Sequence, residues 1–554
     1  MEKMIEYLNR ILPVVGHCLR DKTLAFCNLE LTHTVAEAFA RCGVKKLIFA
    51  DSGIVWSGSQ MELSYGRRVS SLSVGMALER IFRSHNRFEK EWEFRQVHDL
   101  SGLCFENLDL LVGAGNFSEC KEIIELAKKK KIPTIVFSSF EGRRANSVLS
   151  IVDVKNGLNF SIFEEDKKFE SGRVDRLNLL EAADLAANLA KAILLRGTEY
   201  ERADIEEIVY QQRRNNVIFG RDAWPWWVLF GSIKSRKKML NLLKRKSNRD
   251  DRESGRKKSL MIIGCGTGSL LAGEAINHFQ RILLVDCKNF SIYNSVRQLV
   301  GTADIGKSKV FVIQRLLSQR LGGKACRKSN KLAKTVWKGN IEVPASELKI
   351  EDSDASLEKF RSLLECFSPD VVEVGMGTPE TNYLATGILR KLKIPHLVTA
   401  CFPLATHYKH IMVDGDNGPC YSCLQGSLPI DLEGGPEITE EQREMFYGFG
   451  QYEEKTQPAT IIETWPSVHS ALRLAIQLAS KKRQPWFSRC LKKEENCFVG
   501  TVNVVRKDNY FLYGTYLPGQ IVTFSSKELF ASRGTLKCPD CGQVYWIKKD
   551  KIIK

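Results

Sequence analysis

Leu260-Met261-Ile262-Ile263-Gly264-Cys265-Gly266-Thr267-Gly268-Ser269-Leu270-Leu271 is the stretch on which the fold turns. Four apolar residues run straight into three alternating glycines, and an apolar helical pattern comes next. An unbroken apolar run of this length reads as a strand buried on both faces. Glycines between such a strand and a helix let the backbone come close to a phosphate, with the helix N-terminus facing its charge. A second run, Ile282–Val285, ends at Asp286, where a carboxylate can hydrogen-bond a ribose. Ser269 departs from the usual third glycine, and taken alone the loop reads equally well as a tight turn without a ligand.

The same pattern occurs earlier in the chain. An apolar run Thr23–Cys27 leads into a helical pattern through Ala36–Ala40, then Gly43-Val44 and a run ending at Asp51. Downstream, Asp109–Gly115 precedes a helix and Ile132-Pro133, and Asp370–Gly377 precedes a helix and Ile394-Pro395. Each half closes near an Ala/Leu-rich amphipathic helix, Leu180–Leu195 and Val468–Ala479. The expectation is an α/β protein: two divergent copies of one doubly wound, Rossmann-like domain. The first copy spans 1–215 and the second 260–554. Residues 216–259 form a linker with an aromatic cluster, Trp224-Pro225-Trp226-Trp227, of the kind that packs domains together.

At 554 residues the chain exceeds one hydrophobic core, and 43% hydrophobic with 27% charged residues is globular. No signal peptide and no long uncharged apolar run is present, so no membrane partner and a cytoplasmic location are expected. The 16 cysteines are scattered, as free thiols are in a reducing compartment. Of the net charge of +17, about half comes from residues 232–258, which hold twelve lysines and arginines against three acids. Such a run reads as a solvated linker or, as the alternative, a surface that attracts acidic partners, and no recognition helix or RNA-binding signature accompanies it. Nucleic acid is therefore not expected as a partner.

The residues after Asp286 carry a more specific pattern. Asn294 comes eight residues later, then Arg297-Gln298, then Asp304-Ile305-Gly306-Lys307-Ser308-Lys309. This spacing resembles the ThiF/MoeB and ubiquitin-activating (E1-like) signature. The triphosphate that the resemblance implies carries several negative charges, and attack at its α-phosphate develops more; Arg297 and Lys309 would neutralise it, and Asn294 would position the phosphate chain. The resemblance implies an ATP- and Mg2+-dependent adenylating enzyme, with Gly264, Gly266, Gly268, Asp286, Asn294, Arg297, Gln298 and Lys309 around the nucleotide. A substrate carboxylate would attack the α-phosphate and pyrophosphate would leave, a step that needs no protein nucleophile.

Two C-x2-C pairs, Cys420/Cys423 and Cys538/Cys541, supply four thiolates for a closed, structural Zn2+ site. The same pairing recurs in ThiF/MoeB-type proteins. The first copy lacks the ATP equipment. Cys27–Thr32 stands where the glycines would be, and Ser59 and Glu62 occupy the places of the asparagine and arginine. It resembles the inactive adenylation half of a fused activating enzyme, so that the chain is a pseudo-dimer. Asn9-Arg10-Ile11 resembles the family's N-terminal element whose arginine reaches the neighbouring ATP. A solvated helix arginine is the alternative for Arg10.

Two departures stand out. The family's magnesium aspartate aligns with Gly377, leaving Glu380 as the candidate carboxylate and Glu373, inside a strand, as a poorer one. No cysteine lies in 424–466, where a thioester cysteine is usual, which leaves Cys490, Cys497 or Cys401. Lys492 and Lys493 would favour a Cys490 thiolate if they lie close to it; an ordinary unreactive cysteine is the alternative for each of the three, with the adenylate then passed to an external thiol. The fused order resembles the activating enzymes of bacterial ubiquitin-like conjugation (Bil-type) antiviral defence systems. The implied partners are a ubiquitin-like protein with a C-terminal glycine and an E2-like conjugating enzyme. Two rivals remain open: an activating or leader-binding component of ribosomal peptide modification, and a pseudoenzyme scaffold.

Overall fold

The computed structural model describes residues 18–57, 59–85, 92–139, 147–156, 158–160, 176–196, 198, 258–291, 294–295, 297–321, 326–329, 334–338, 341–376, 379–401, 407–425, 460–481, 483, 485–492, 495–501, 521–525, 536–537 and 544–545. The first half runs β1 (Thr23–Cys27), α1 (Leu29–Arg41), β2 (Lys46–Ala50), α2 (Gln60–Tyr65), α3 (Val74–His85), β3 (Glu93–Val97), β4 (Leu110–Ala114), α4 (Phe117–Lys130), β5 (Thr134–Ser139), β6 (Ser147–Asp153), β7 (Leu158–Phe160) and α5 (Arg176–Leu194).

The second half runs β8 (Ser259–Ile263), α6 (Gly268–Ala275), β9 (Arg281–Val285), α7 (Lys309–Arg320), β10 (Cys326–Ser329), β11 (Lys334–Lys338), β12 (Ile341–Ser346), α8 (Asp354–Phe367), β13 (Val371–Val374), α9 (Pro379–Lys391), β14 (His396–Cys401), β15 (His407–Val413), α10 (Tyr421–Gln425), α11 (Ile461–Leu478), α12 (Pro485–Lys492), β16 (Glu495–Thr501) and β17 (Ile521–Ser525). A short hairpin, β18 (Leu536–Lys537) with β19 (Val544–Tyr545), comes last.

Strand order makes both halves Rossmann-like. The first sheet is β3-β2-β1-β4-β5-β6-β7, parallel from β3 to β5. The second is β10-β11-β12-β9-β8-β13-β14-β15-β16-β17, parallel from β12 to β14. In each, the first two βα units wind to one side and the next two to the other, so the crevice opens between β1 and β4 and between β8 and β13. The antiparallel strands at both edges of the second sheet lie outside the strand–helix–strand repeat that the sequence announces.

One apolar core joins the halves. Phe39 and Ala186 from the first half pack in the same cluster as Leu271 and Leu472 from the second. The outer sheet faces have cores of their own, around Ile124 in the first half and Phe360 in the second. The helices α5 and α11, which lie on β5 and β14 respectively, pack against each other at the centre. Their seam is lined with buried ion pairs. Lys191 meets Glu463, the Asp184 carboxylate meets His469 Nδ1 at 2.6 Å, and Arg473 meets Glu181 at 2.6 Å. Such pairs repay their desolvation only with good geometry, and their main use is to hold one register. Glu463 also accepts from the Thr460 backbone in the capping box that starts α11, so one carboxylate begins the helix and docks it. Among the described residues, no helix is long and apolar enough to cross a membrane.

Candidate functional site

The site is built where β8 and β13 diverge, and its three glycines have separate duties. Gly264 has φ +90°, and a Cβ there would lie 2.4 Å from the Gly375 carbonyl oxygen, so only glycine lets the chain turn against the end of β13. A Cβ on Gly268 would lie 2.7 Å from Ile262 Cγ2, which makes this residue the contact between α6 and β8. Gly266 differs from both. Among the described residues, the nearest atom to a Cβ there would be Gln298 Nε2, at 3.9 Å, so the space on its Cβ side is open. Tight turn, exposed amide and close helix packing are the duties of the three glycines in dinucleotide-binding loops. Close packing falls to Gly268, and the serine at 269 costs the loop nothing. The Ser269 hydroxyl donates to the Gly266 carbonyl (2.8 Å) and accepts from the Leu299 amide (3.2 Å), tying the glycine turn to the loop that carries Arg297.

The acid at the end of the second strand holds the turn. Asp286 Oδ2 accepts from the Cys265 amide at 2.7 Å and Oδ1 from the Lys288 amide at 2.8 Å. The first half repeats this geometry with Asp51, whose oxygens accept from the Leu29 and Gly53 amides, both at 2.7 Å. The internal repeat is thus structural down to single hydrogen bonds. The connection between strand and helix is what differs. In the first half Asn28 alone, at φ 54°, separates β1 from α1, whereas Gly264–Thr267 separate β8 from α6. One residue leaves no loop to wrap a phosphate. In the place of the second half's Asn294–Arg297 segment, Ser59 accepts from the Glu62 amide and caps α2.

The predicted residues of the second half are divided between the turn and the end of β14. Lys309, in the first turn of α7, is 8% exposed, and its Nζ sits 5.8 Å from the centre of the Phe290 ring. It also acts on Cys265: burial, then the Asp286 carboxylate, drive that thiol far above its usual range, and Lys309 opposes them. Asp286 and Lys309 therefore converge on the glycine turn, and Gln298 lies over Gly266. Asn294 is buried, and its Oδ1 accepts from the Ser291 amide at 2.9 Å, shaping the loop. Arg297 interacts with Cys401 at the end of β14. Burial lowers its guanidinium from the ordinary value, and the Cys401 thiol opposes that. Lys309 thus acts on the residue that follows the β8 turn glycine and Arg297 on the last residue of β14, two strands that β13 separates in the sheet.

Glu373 of β13 is 2% exposed and accepts from Thr399, while its Oε2 is buried with no hydrogen-bond partner among the described residues. Burial pushes its carboxyl up to about 8, which makes it a largely neutral acid at pH 7 and a weak magnesium ligand. Glu380 is the second residue of α9, and its side chain lies outside the described residues, as do Gly377, Arg10, Cys538 and Cys541. Cys490, on α12, is 1% exposed within the shared core, out of reach of a protein-sized thioester partner unless α12 moves. Burial pushes the Cys401 thiol up, with Ser467 and Arg297 opposing. The Cys497 side chain is not among those described. Cys420 and Cys423 are both 3% exposed, with sulfurs 3.6 Å apart. Among the described residues, no group of three or more His, Cys, Asp or Glu side chains is arranged to hold a metal.

No protein-family model matches the chain, and no curated protein does. Among solved structures, E. coli MccB is similar. The free protein is 16% identical with a TM-score of 0.31, over 49% of this chain and 62% of that one. The Microcin C7 biosynthetic enzyme MccB in complex with N-formylated MccA is 15% identical with a TM-score of 0.32, over 49% and 64%. E. coli MccB with AMPCPP and MccA is 14% identical with a TM-score of 0.31, over the same shares. This chain thus spans less than two thirds of the length of these structures. The fold assignment rests on the strand order and register described above.

Proposed function

We propose that the second half binds ATP at the Gly264–Ser269 turn and adenylates the C-terminal carboxylate of a ubiquitin-like protein. The observation that carries the reading is the open space beside Gly266, with Asp286 and Lys309 converging on the turn and Gln298 lying over it. A glycine with open space beside it at the start of a helix, with a buried cation alongside, is the combination a polyphosphate needs. Asp286 would meet the ribose, and Lys309 and Arg297 would hold the negative charge that develops as pyrophosphate leaves. Glu380 is the carboxylate proposed to hold Mg2+, which when bound would supply charge neutralisation to the phosphates. The first half is proposed to be an inactive partner, in keeping with its single-residue connection at Asn28. Transfer to an E2-like protein is proposed to proceed from the adenylate to an external thiol, since Cys490 is buried.

A structural zinc is proposed for Cys420, Cys423, Cys538 and Cys541. Tetrahedral Zn–S bonds of about 2.3 Å set sulfurs roughly 3.8 Å apart. The Cys420–Cys423 separation of 3.6 Å fits one edge of such a tetrahedron. The β18–β19 hairpin brackets residues 538–543, where the second pair falls.

The decisive assay is ATP–pyrophosphate exchange with candidate ubiquitin-like proteins, comparing the wild type with Arg297→Ala. Exchange that depends on the C-terminal glycine and is lost in the variant is the expected result. No exchange with any carboxylate-terminated protein or short precursor peptide would overturn the adenylation reading, and exchange with the peptide alone would replace the ubiquitin-like substrate.

A further inference from the structure

The residue that governs the Arg297 loop does not belong to the second half. Arg41, in the last turn of α1, is 2% exposed. Its Nη1 donates to the carbonyls of Ser295 (2.7 Å), Gln298 (3.1 Å) and Val300 (3.3 Å). Three peptide units of one loop therefore curl around a single guanidinium from the other half. The guanidinium is aimed in turn: its Nε donates to Glu37 Oε1 at 2.9 Å, and the Tyr65 hydroxyl donates to Glu37 Oε2 at 2.9 Å. His85 Nδ1 stands 3.4 Å from the same carboxylate. The loop is also pressed against α3, since a Cβ on Gly301 would lie 2.5 Å from the Ser84 carbonyl oxygen.

We propose that Arg41 is a positioning residue for the nucleotide site, through which the first half holds the loop that carries Arg297 and Gln298 beside the Gly264–Ser269 turn. The proposal rests on reading that turn as an ATP site. Within the second half, the Ser269 hydroxyl reaches the loop at the Leu299 amide. Arg41 supplies charge-assisted hydrogen bonds from the opposite side, and removing them strands several buried carbonyls at once. The half without a phosphate loop then has a reason to remain fused: it keeps the shape of its partner's loop.

The test uses the full chain and two readouts. Hydrogen exchange of residues 294–301 is followed without nucleotide, and binding of ATP with magnesium is measured by calorimetry. Arg41→Met is expected to speed exchange in that segment at least tenfold and to weaken ATP at least tenfold. Arg41→Lys, which keeps the charge beside Glu37 but loses the planar fork, is expected to fall between, and it carries the comparison if the methionine variant does not fold. Arg473→Gln breaks another ion pair between the halves and is expected to lower the melting temperature while leaving both readouts alone. Unchanged exchange, or faster exchange with unchanged ATP affinity, overturns the positioning role. A wild type that binds no ATP overturns the nucleotide reading instead, and the exchange arm still decides whether Arg41 holds the loop.

Discussion

Gly266 and Gly264 lie two residues apart in one turn, yet substituting them should have opposite consequences. In Gly266→Val the new Cβ meets, among the described residues, no atom closer than Gln298 Nε2 at 3.9 Å. Folding should be unharmed, and losing the freedom of glycine in the unfolded chain should add up to about 1 kcal/mol of stability. The added methyls occupy the space a phosphate must enter, so the charge-assisted bonds to the turn are lost. At about 1.5–3 kcal/mol for a hydrogen bond to a charged group, ATP should bind roughly 10- to 150-fold more weakly. Gly264→Ala instead places a Cβ 2.4 Å from a backbone oxygen at φ +90°. The left-handed backbone alone costs about 1–2 kcal/mol, and the contact forces the end of β13 to move. Calorimetric ATP titration paired with thermal melting separates the two cases. A Gly266→Val protein that binds ATP as tightly as the wild type would show that no phosphate approaches this turn.

Buried groups give three further expectations. Burial holds His33 and His410 down to about 3 and His396 to about 4, against an ordinary 6.5. The unfolded chain therefore binds more protons below pH 6.5, and stability falls as pH falls through that value. From pH 6.5 to 5 the loss is at most about 2 kcal/mol for each histidine, read as a drop in urea midpoint; a midpoint that rises on acidification would contradict it. His469 runs the other way. Burial works against its charge, but Asp184, Glu274 and Glu181 together outweigh burial and raise it, so its contribution is present at low pH and lost as pH climbs through the raised value. Asp184→Asn should reduce this alkaline loss, which melting from pH 6 to 9 would reveal. Protein purified without chelator should carry about one zinc per chain. Cys420→Ser should abolish it, as elemental analysis would report; full zinc in that variant would place the metal elsewhere.

The run from Leu260 to Ser269 and the echo at Thr23–Cys27 were enough to announce two parallel α/β halves, and β1 occupies the residues read as its strand. Periodicity and glycine placement are local, so a strand that must be buried on both faces declares itself within a few residues. The shared ends at Asp51 and Asp286 were legible for the same reason, although their matching hydrogen bonds were not. Ser269 looked like a defect because a pattern counts glycines. Only the packing distances reveal that Gly268 makes the close contact and that the serine hydroxyl joins two loops. Arg297 and Lys309 belong to one motif in the chain, yet in the sheet β13 separates the strands whose ends they act on.

What tertiary structure alone decided is how the halves depend on each other. Arg41 reads as an ordinary basic residue at a helix C-terminus, and its carbonyl partners begin 254 residues later. Cys490 beside lysines reads as either a reactive or an ordinary thiol, and only the fold places it in the buried core. A chain can encode which segments become strands and turns in its neighbouring residues. Which loop a buried charge must satisfy depends on what lies across the interface once the core has closed.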